Sequence, residues 1–225
     1  MAVITTSTTG GLMDLATVSL HIASMWPRPI TVVEADPDGG RLAARHDWDV
    51  HPGLVDLASM LRSSRSTTPS PISMTRKYND DVSVVVAPPA VEPIMASLPV
   101  LARHWTRLDE ILGTDVLVVT GRLRPDSVAN QLIEVVDRRI LVSRTDLEDV
   151  VAVVHRADRM RELGEWHVLT AGGQYGVADL ARTIEWPVVS DLLPDNPRGS
   201  ARLRASIQQF AEAIDPNRSR ESAVA

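Results

Sequence analysis

The sequence predicts one α/β domain built on a doubly wound, mostly parallel β-sheet with helices on both faces. Short segments rich in β-branched residues alternate with longer amphipathic segments, which is the βαβα order of such folds. The strand-like segments are almost continuously apolar, as expected for strands that helices cover on both sides. The chain has 225 residues, a length that suits one substantial domain.

The predicted elements follow one another along the whole chain. The predicted strands are residues 2–6, 30–35, 82–87, 115–120, 139–143 and 166–170. The predicted helices are 14–24, 52–62, 92–112, 126–136 and 146–163, before a C-terminal helix with an apolar row of Leu203, Ile207, Phe210 and Ile214. In the helix at 146–163, Val150, Val153 and Val154 are expected to face the core. Residues 1–215 form the predicted domain, and the polar residues 216–225 form a predicted flexible tail.

Composition excludes several classes of protein. Hydrophobic residues make up 44% and charged residues 23% of the chain, which is typical of a globular protein and excludes a mostly disordered one. The formal net charge of −6 argues against a wholly basic nucleic-acid-binding protein. Cysteine is absent, and the apolar runs are too short for a membrane helix. We therefore expect a cytoplasmic protein that does not insert into membranes.

Four stretches carry recognisable motifs in a fixed order. They are ITTSTTGGLMDLA at 4–16, VVEADPDGGR at 32–41, TDVLVVTG at 114–121 and PVVSDLLPD at 187–195. Their order and spacing resemble those of the ParA/MinD family of deviant P-loop ATPases. In that family the first stretch contains KGGxGKT, and the strand of the second stretch ends in D-x-DP. The third stretch carries the Walker B aspartate, and the fourth leads to an IPxD loop. The resemblance covers most of the chain and implies the P-loop fold of that family.

The departures from the family pattern fall where nucleotide would bind. Gly10 and Gly11 match the paired glycines of the family. However, Thr9 stands at the signature lysine and Asp14 at the phosphate-binding lysine. An aspartate there opposes triphosphate binding, because two unit charges about 4 Å apart interact by roughly 4 kcal/mol at an effective dielectric constant of 20. Thr120 stands at the Walker B aspartate, and a hydroxyl is a weak substitute for a carboxylate on Mg²⁺.

Structural roles are the favoured interpretation of the remaining residues. Asp14 is expected to cap the first predicted helix. Asp36 matches the acid of the second family motif, but without a lysine and a metal it is expected to be vestigial, in a turn and helix start. Met13 and Leu15 are expected to fill the former phosphate pocket. Lys77 is the only lysine of the chain, and it lies far from the first loop in sequence, so we expect it to replace the lost lysine only in trans or through an unusual loop.

The resemblance and its departures together predict a ParA/MinD-like pseudo-ATPase that acts as a positioning or partner-binding module. They imply a homodimer, or a heterodimer with an active ParA/MinD-like protein, without cofactor or metal. The six scattered histidines add no metal-ligand set. One alternative is a divergent but active ATPase that binds ATP and Mg²⁺ through an atypical phosphate loop. A second alternative is a nucleotide-independent DNA-binding partition protein, whose phosphate contacts would be Arg198, Arg202 and Arg204.

Overall fold

A central β-sheet organises the described part of the chain. The computed structural model describes residues 1–10, 14–63, 70–136, 138–185, 188–191 and 197–213. The strands in these ranges are β1 (Val3–Thr8), β2 (Ile30–Glu34), β3 (Arg76–Lys77), β4 (Val82–Val85), β5 (Asp115–Arg122), β6 (Arg138–Ser143), β7 (Trp166–Thr170) and β8 (Val188–Asp191). Their spatial order is β3-β4-β2-β5-β1-β6-β7-β8. Every neighbouring pair is parallel except β3 with β4, which confirms the predicted mostly parallel sheet.

Helices connect the strands. Within the described ranges they are α1 (Leu15–Ala23), α2 (Leu42–Arg45), α3 (Leu54–Arg62), α4 (Val91–His104), α5 (Leu108–Leu112), α6 (Asn130–Glu134), α7 (Leu147–Leu163), α8 (Val177–Ile184) and α9 (Pro197–Ala213). The predicted helix at 92–112 is divided into α4 and α5 by a 3₁₀ turn at Trp105–Arg107. The predicted helix at 126–136 is shorter, since only α6 is helical there.

The central strands contribute side chains to a core on each side of the sheet. In β1, Ile4 packs into the core that contains α1 and α9, whereas its neighbour Val3 packs into the core that contains α3, α4 and α5. The same alternation holds for Val32 and Val33 in β2, because successive side chains of a strand point to opposite faces. These two cores explain the apolar runs at residues 32–33 in β2 and 116–119 in β5.

Helix α7 packs differently from the sequence-based prediction. Val153 is buried and Val150 is partly buried, as expected. Val154, however, is 44% exposed, so its predicted place in the core is wrong. The buried row continues instead through Ala157, Met160 and Leu163, at helical spacings of four and three residues. Two predictions, the inward position of Ile214 and the flexible tail at 216–225, lie outside the described residues.

The strand order determines where a ligand site can form. Strand β1 lies between β5 and β6, so the chain leaves β1 at the point where the strand order reverses. In open α/β sheets, ligands bind in the crevice at the carboxyl ends of the strands at such a switch point. The segments that follow β1, β2 and β5 therefore meet at one edge of the sheet.

Candidate functional site

A cleft of about 190 Å³ lies at the carboxyl ends of β1, β2 and β5. We call it the switch-point cleft. Its charged lining consists of four acidic and three basic side chains: Asp14, Glu34, Asp36, Asp38, Arg41, Arg122 and Arg124. Its volume is below the roughly 300–1,000 Å³ of common small-molecule sites. A second cleft of about 220 Å³ adjoins it and shares two of these acids and two of these arginines.

Asp14 caps the N-terminus of α1, as the sequence predicts. Its Oδ1 accepts a hydrogen bond from the backbone N–H of Thr17 at 3.2 Å, and its Oδ2 accepts one from the Thr17 hydroxyl at 3.1 Å. The same carboxylate forms an ion pair with Arg45 of α2. Arg45 also donates to the Thr17 hydroxyl at 2.6 Å. The acid therefore supplies, from within the chain, the negative charge that a helix N-terminus favours.

Thr120 is a buried structural residue in β5. Its side-chain oxygen donates to the Thr6 carbonyl of β1 at 3.0 Å and lies 2.6 Å from the Ser7 hydroxyl. Thr120 is only 1% exposed, so its hydroxyl forms hydrogen bonds between β5 and β1 and does not face solvent. Thr9, at the end of β1, is also buried, and its side-chain oxygen has no hydrogen-bond partner among the described residues. The Thr9 carbonyl accepts a hydrogen bond from Arg122 at 3.1 Å.

Asp36 lies in a turn after β2, as expected. Its Oδ1 accepts from the backbone N–H of Asp38 at 2.9 Å, and its carbonyl accepts from Gly39 at 3.1 Å. The carboxylate packs against Gly121, whose backbone has a φ of +70° and whose missing side chain leaves the necessary space. Burial raises the pKa of Asp36 above its ordinary value, and the charge of Asp38 adds to this effect.

Glu34, and not Asp36, supplies the carboxylate that accepts backbone N–H groups at the start of α2. The predicted helix start is displaced, because α2 begins only at Leu42. Glu34 is 1% exposed, and its carboxylate accepts from the N–H groups of Arg41 at 2.6 Å, Leu42 at 3.0 Å and Ala87 at 3.0 Å. Burial raises the pKa of Glu34, although these hydrogen bonds oppose the rise. The signal that could have identified this residue is a lone carboxylate in an otherwise apolar strand.

Gly10 lies close to a further acid, which belongs to α7. Asp149, in the first turn of α7, lies so close to Gly10 that a side chain at position 10 would collide with its carboxylate. Burial raises the pKa of Asp149, while Arg144 lowers it. Leu15 packs into the core beneath α1 and also lines the switch-point cleft, which keeps a volume of about 190 Å³, so Leu15 does not fill the pocket as expected. Gly11 and Met13 lie outside the described residues.

Lys77 is remote from the switch-point cleft. It belongs to β3 at the edge of the sheet and forms an ion pair with Asp80 at 2.8 Å. In the antiparallel pairing of β3 with β4, Lys77 is opposite Ser83, near the beginning of β4. The lysine therefore lies toward the end of the sheet opposite to the cleft. From this position, Lys77 cannot reach the cleft of its own chain to replace the missing phosphate-binding lysine.

The three arginines predicted as a DNA-contacting group do not share one face of α9. Arg202 and Arg204 are exposed on either side of the buried Leu203. Because successive helical residues are about 100° apart, these two side chains leave α9 on opposite sides. The side chain of Arg198 lies outside the described part of the structure.

Neither a metal-ligand cluster nor a membrane-spanning helix is found in the part of the chain that the structure describes. No group of three or more His, Asp or Glu side chains there could hold a metal ion. None of the helices in the same ranges is long and apolar enough to cross a membrane.

Comparison with known proteins identifies the fold. No protein-family model matches the chain, and no curated protein matches its sequence. Solved structures do match. A ParA family ATPase from Chlorobium tepidum has a TM-score of 0.65 at 12% identity, over 95% of this chain and 96% of that one. A McdA variant from Cyanothece in complex with ATP has a TM-score of 0.63 at 12% identity, over 93% and 89%.

A third match is the MinC:MinD cell division protein complex from Aquifex aeolicus, with a TM-score of 0.61 at 10% identity over 95% of this chain and 92% of that one. All three similarities extend over nearly the whole chain. At such low identities they establish the fold alone. The protein has a P-loop fold of the ParA/MinD type.

Proposed function

We propose that this protein is a ParA/MinD-like pseudo-ATPase, a partner-binding module that has lost nucleotide binding. The observation that carries the proposal is the position of Asp14. In this fold the N-terminus of α1 is where phosphate groups would bind, because free backbone N–H groups and the helix dipole favour an anion there. The Asp14 carboxylate accepts the N–H of Thr17 and is charge-paired with Arg45, so an internal anion takes the place of an external one.

The remaining charges support the same conclusion. A triphosphate at the switch-point cleft would approach Asp14, Asp36 and Asp38, with Asp149 beside Gly10. Two like charges about 4 Å apart repel each other by roughly 4 kcal/mol at an effective dielectric constant of 20. One such pair would cancel about half of the binding free energy of a ligand with micromolar affinity. Of the nearby arginines, Arg45 forms an ion pair with Asp14, the acid at the N-terminus of α1.

The donor set also fits Mg²⁺ poorly. Mg²⁺ bound with nucleotide is held by carboxylate or hydroxyl oxygens that face the phosphates. The Thr120 hydroxyl faces β1 instead, where the Thr6 carbonyl and the Ser7 hydroxyl occupy it. An Asp14 oxygen would have to leave both its helix cap and its ion pair to serve as a ligand. We therefore derive no catalytic step through ATP or Mg²⁺.

A role in partner binding follows by analogy of fold. MinD from Aquifex aeolicus forms a complex with MinC, and both are cell division proteins. We infer that this protein forms a constitutive homodimer, or a heterodimer with a ParA/MinD-like protein, whose assembly does not depend on nucleotide. Its task would be positioning, in segregation, septum placement or localisation of a secretion or pilus apparatus. This step is an argument from fold and not from site chemistry.

One observation favours the competing proposal of a divergent ATPase. The switch-point cleft is open, and Arg122 and Arg124 line it. Arginine binds phosphate well, and in this competing proposal these two side chains replace the lysine. The two proposals differ in what the purified protein contains and in how its mass responds to nucleotide.

The test combines nucleotide content with sedimentation. Protein purified under native conditions is denatured with acid, and the supernatant is assayed for adenine nucleotides. The mass of the native protein is then measured with and without Mg²⁺ and ATP. We expect no bound nucleotide and an unchanged mass. Stoichiometric nucleotide, or a change from monomer to dimer on addition of Mg²⁺ and ATP, would favour the divergent ATPase.

A further inference from the structure

A separate cleft lies between α7 and the segment that follows β5. We call it the α7 cleft. Its volume is about 110 Å³, and its walls include the apolar side chains of Leu123, Met160 and Leu163. These three residues are nearly fully buried, so they form a fixed apolar floor and not a loose surface patch. The volume is well below the roughly 300–1,000 Å³ of small-molecule sites, which suits a single inserted side chain.

Arginines surround this apolar floor. Arg124, Arg156 and Arg159 line the α7 cleft, and none of the acidic residues in the described part of the chain does. Arg156 is the arginine best placed to bind an external anion. Its Nη1 donates to the Ala152 carbonyl of its own helix at 2.9 Å, and no described carboxylate lies within ion-pair distance of its guanidinium. The guanidinium therefore keeps donors free for an external anion. On a chain with a net charge of −6, this is a local positive site.

The other two arginines, Arg159 and Arg124, form only weak ion pairs, so each can pair with a carboxylate of a ligand instead. Arg159 pairs with Glu162 at 2.6 Å, and Arg124 pairs with Asp38 at 2.8 Å. All four side chains are about half exposed, and such surface ion pairs are weak. A carboxylate brought in by a ligand can exchange with either partner. The rim can thus present up to three guanidinium groups to an acidic ligand.

An exposed apolar row on the same helix extends the surface. Leu147, Val151 and Val154 are 59%, 43% and 44% exposed, at helical spacings of four and three residues. Val151 precedes His155, a residue of the α7 cleft, by one turn, and His155 precedes Arg159 by one turn. The apolar row and the cleft therefore lie side by side along α7.

We propose that the α7 cleft and the adjoining apolar row bind an acidic amphipathic peptide segment of a partner protein. One apolar side chain of the segment enters the cleft, and carboxylates beside it pair with Arg156 and Arg159. Apolar residues at helical spacing would cover the row on α7. The inference rests on the proposed role as a partner-binding module and specifies which surface and which partner chemistry serve it.

The shape of the cleft favours a peptide over nucleic acid. A phosphate backbone would pair with the arginines but would leave the floor of Leu123, Met160 and Leu163 without an apolar partner. The overall negative charge of the chain also opposes nonspecific DNA binding. Nucleic acid therefore enters the test as a competing outcome.

The experiment is a selection from a phage-displayed library of random peptides long enough for three or four helical turns. The immobilised protein is wild type, without nucleotide, and the enriched peptides are synthesised with a fluorophore for anisotropy titrations. We expect enriched sequences with Asp or Glu within one helical turn of Leu, Met or Phe. Their affinity should fall about tenfold or more for the double variant Arg156→Glu, Arg159→Glu, and should also fall for Val151→Asp.

A matched control separates specific pairing from a general charge effect. Arg182→Glu changes an exposed arginine of α8 that, like Arg159, pairs with a carboxylate three residues away. This control should keep the wild-type affinity. Circular dichroism and thermal unfolding verify that every variant is folded, and Arg159→Glu alone serves if the double variant is not.

Three results would overturn the proposal. One is a set of enriched peptides that bind the charge-reversed variant as tightly as the wild type. Another is the absence of any peptide enriched over that variant. The third is tighter binding of a DNA oligonucleotide than of the selected peptides at equal salt. Because the selection omits nucleotide, its failure is distinguishable from failure of the pseudo-ATPase proposal, which depends on nucleotide content and mass.

Discussion

Replacing Asp14 by alanine should destabilise the protein, because this carboxylate is a helix cap. Loss of an N-cap side chain costs about 1 kcal/mol, within a range of about 0.5–2 kcal/mol. The ion pair with Arg45 is partly exposed, with side-chain exposures of 25% and 48%, so its loss adds only about 0–1 kcal/mol. The free energy of unfolding should therefore fall by about 1–2 kcal/mol. For a chain of this size that corresponds to about 2–8 °C in Tm.

Two further variants separate the cap from the ion pair. Asp14→Asn keeps a side-chain oxygen that can accept from Thr17 N–H, but it removes the charge that pairs with Arg45. It should cost less than half as much as Asp14→Ala. Asp38→Ala is the matched control, since Asp38 lines the same cleft and pairs with Arg124 but its side chain caps no helix. It should cost at most about 1 kcal/mol.

The assay is urea denaturation followed by circular dichroism, with the slope of the transition compared among the variants. An unchanged slope means that the difference in midpoint reports stability. If Asp14→Ala were as stable as the wild type, the capping role would be refuted. The same conclusion would follow if Asp38→Ala were as destabilising as Asp14→Ala.

Three other predictions concern the same edge of the sheet. Asp36→Asn should become more stable relative to the wild type as the pH rises from 3.8 through the folded pKa of Asp36, because that pKa is raised and the wild type must ionise a partly buried acid. Denaturation of both proteins at several pH values tests this, and a constant difference would contradict it. Thr120→Val should lose about 1–3 kcal/mol, since it leaves buried polar partners in β1 unsatisfied. An effect near zero in the same assay would contradict the inward role of the hydroxyl. Gly121→Ala should destabilise more than Gly113→Ala, because both have positive φ but only position 121 also lacks space for a side chain. Equal Tm values for these two variants would contradict the close packing of Asp36 on Gly121.

Local sequence patterns predict strands such as β2, β4 and β5 because each contains a run rich in β-branched and apolar residues. Strand β3 is not predicted, because its two residues, Arg76 and Lys77, are both charged and pair only with β4. Helix α8 is also not predicted, because it has only two buried residues, Leu180 and Ile184. The error at Val154 has a related cause. Periodicity identifies a helix, but Val153 and Val154 are neighbours, and only the packing around α7 decides which of them faces the core.

The same distinction applies to the candidate site. The cap at Asp14 is predictable because its contact with Thr17 spans three residues. The role of Glu34 depends on Ala87, which lies 53 residues further along the chain. The inward hydrogen bonds of Thr120 depend likewise on β1, more than a hundred residues earlier. Such contacts follow from strand order, which sequence motifs indicate only through the resemblance to a known fold.

The central claim is that Asp14 and its surroundings no longer admit a nucleotide. The most direct measurement is a calorimetric titration of the nucleotide-free protein with a non-hydrolysable ATP analogue in the presence of Mg²⁺. We predict no binding, or binding only at millimolar concentration. Micromolar affinity would contradict the account and would direct attention to Arg122 and Arg124 as replacements for the missing lysine.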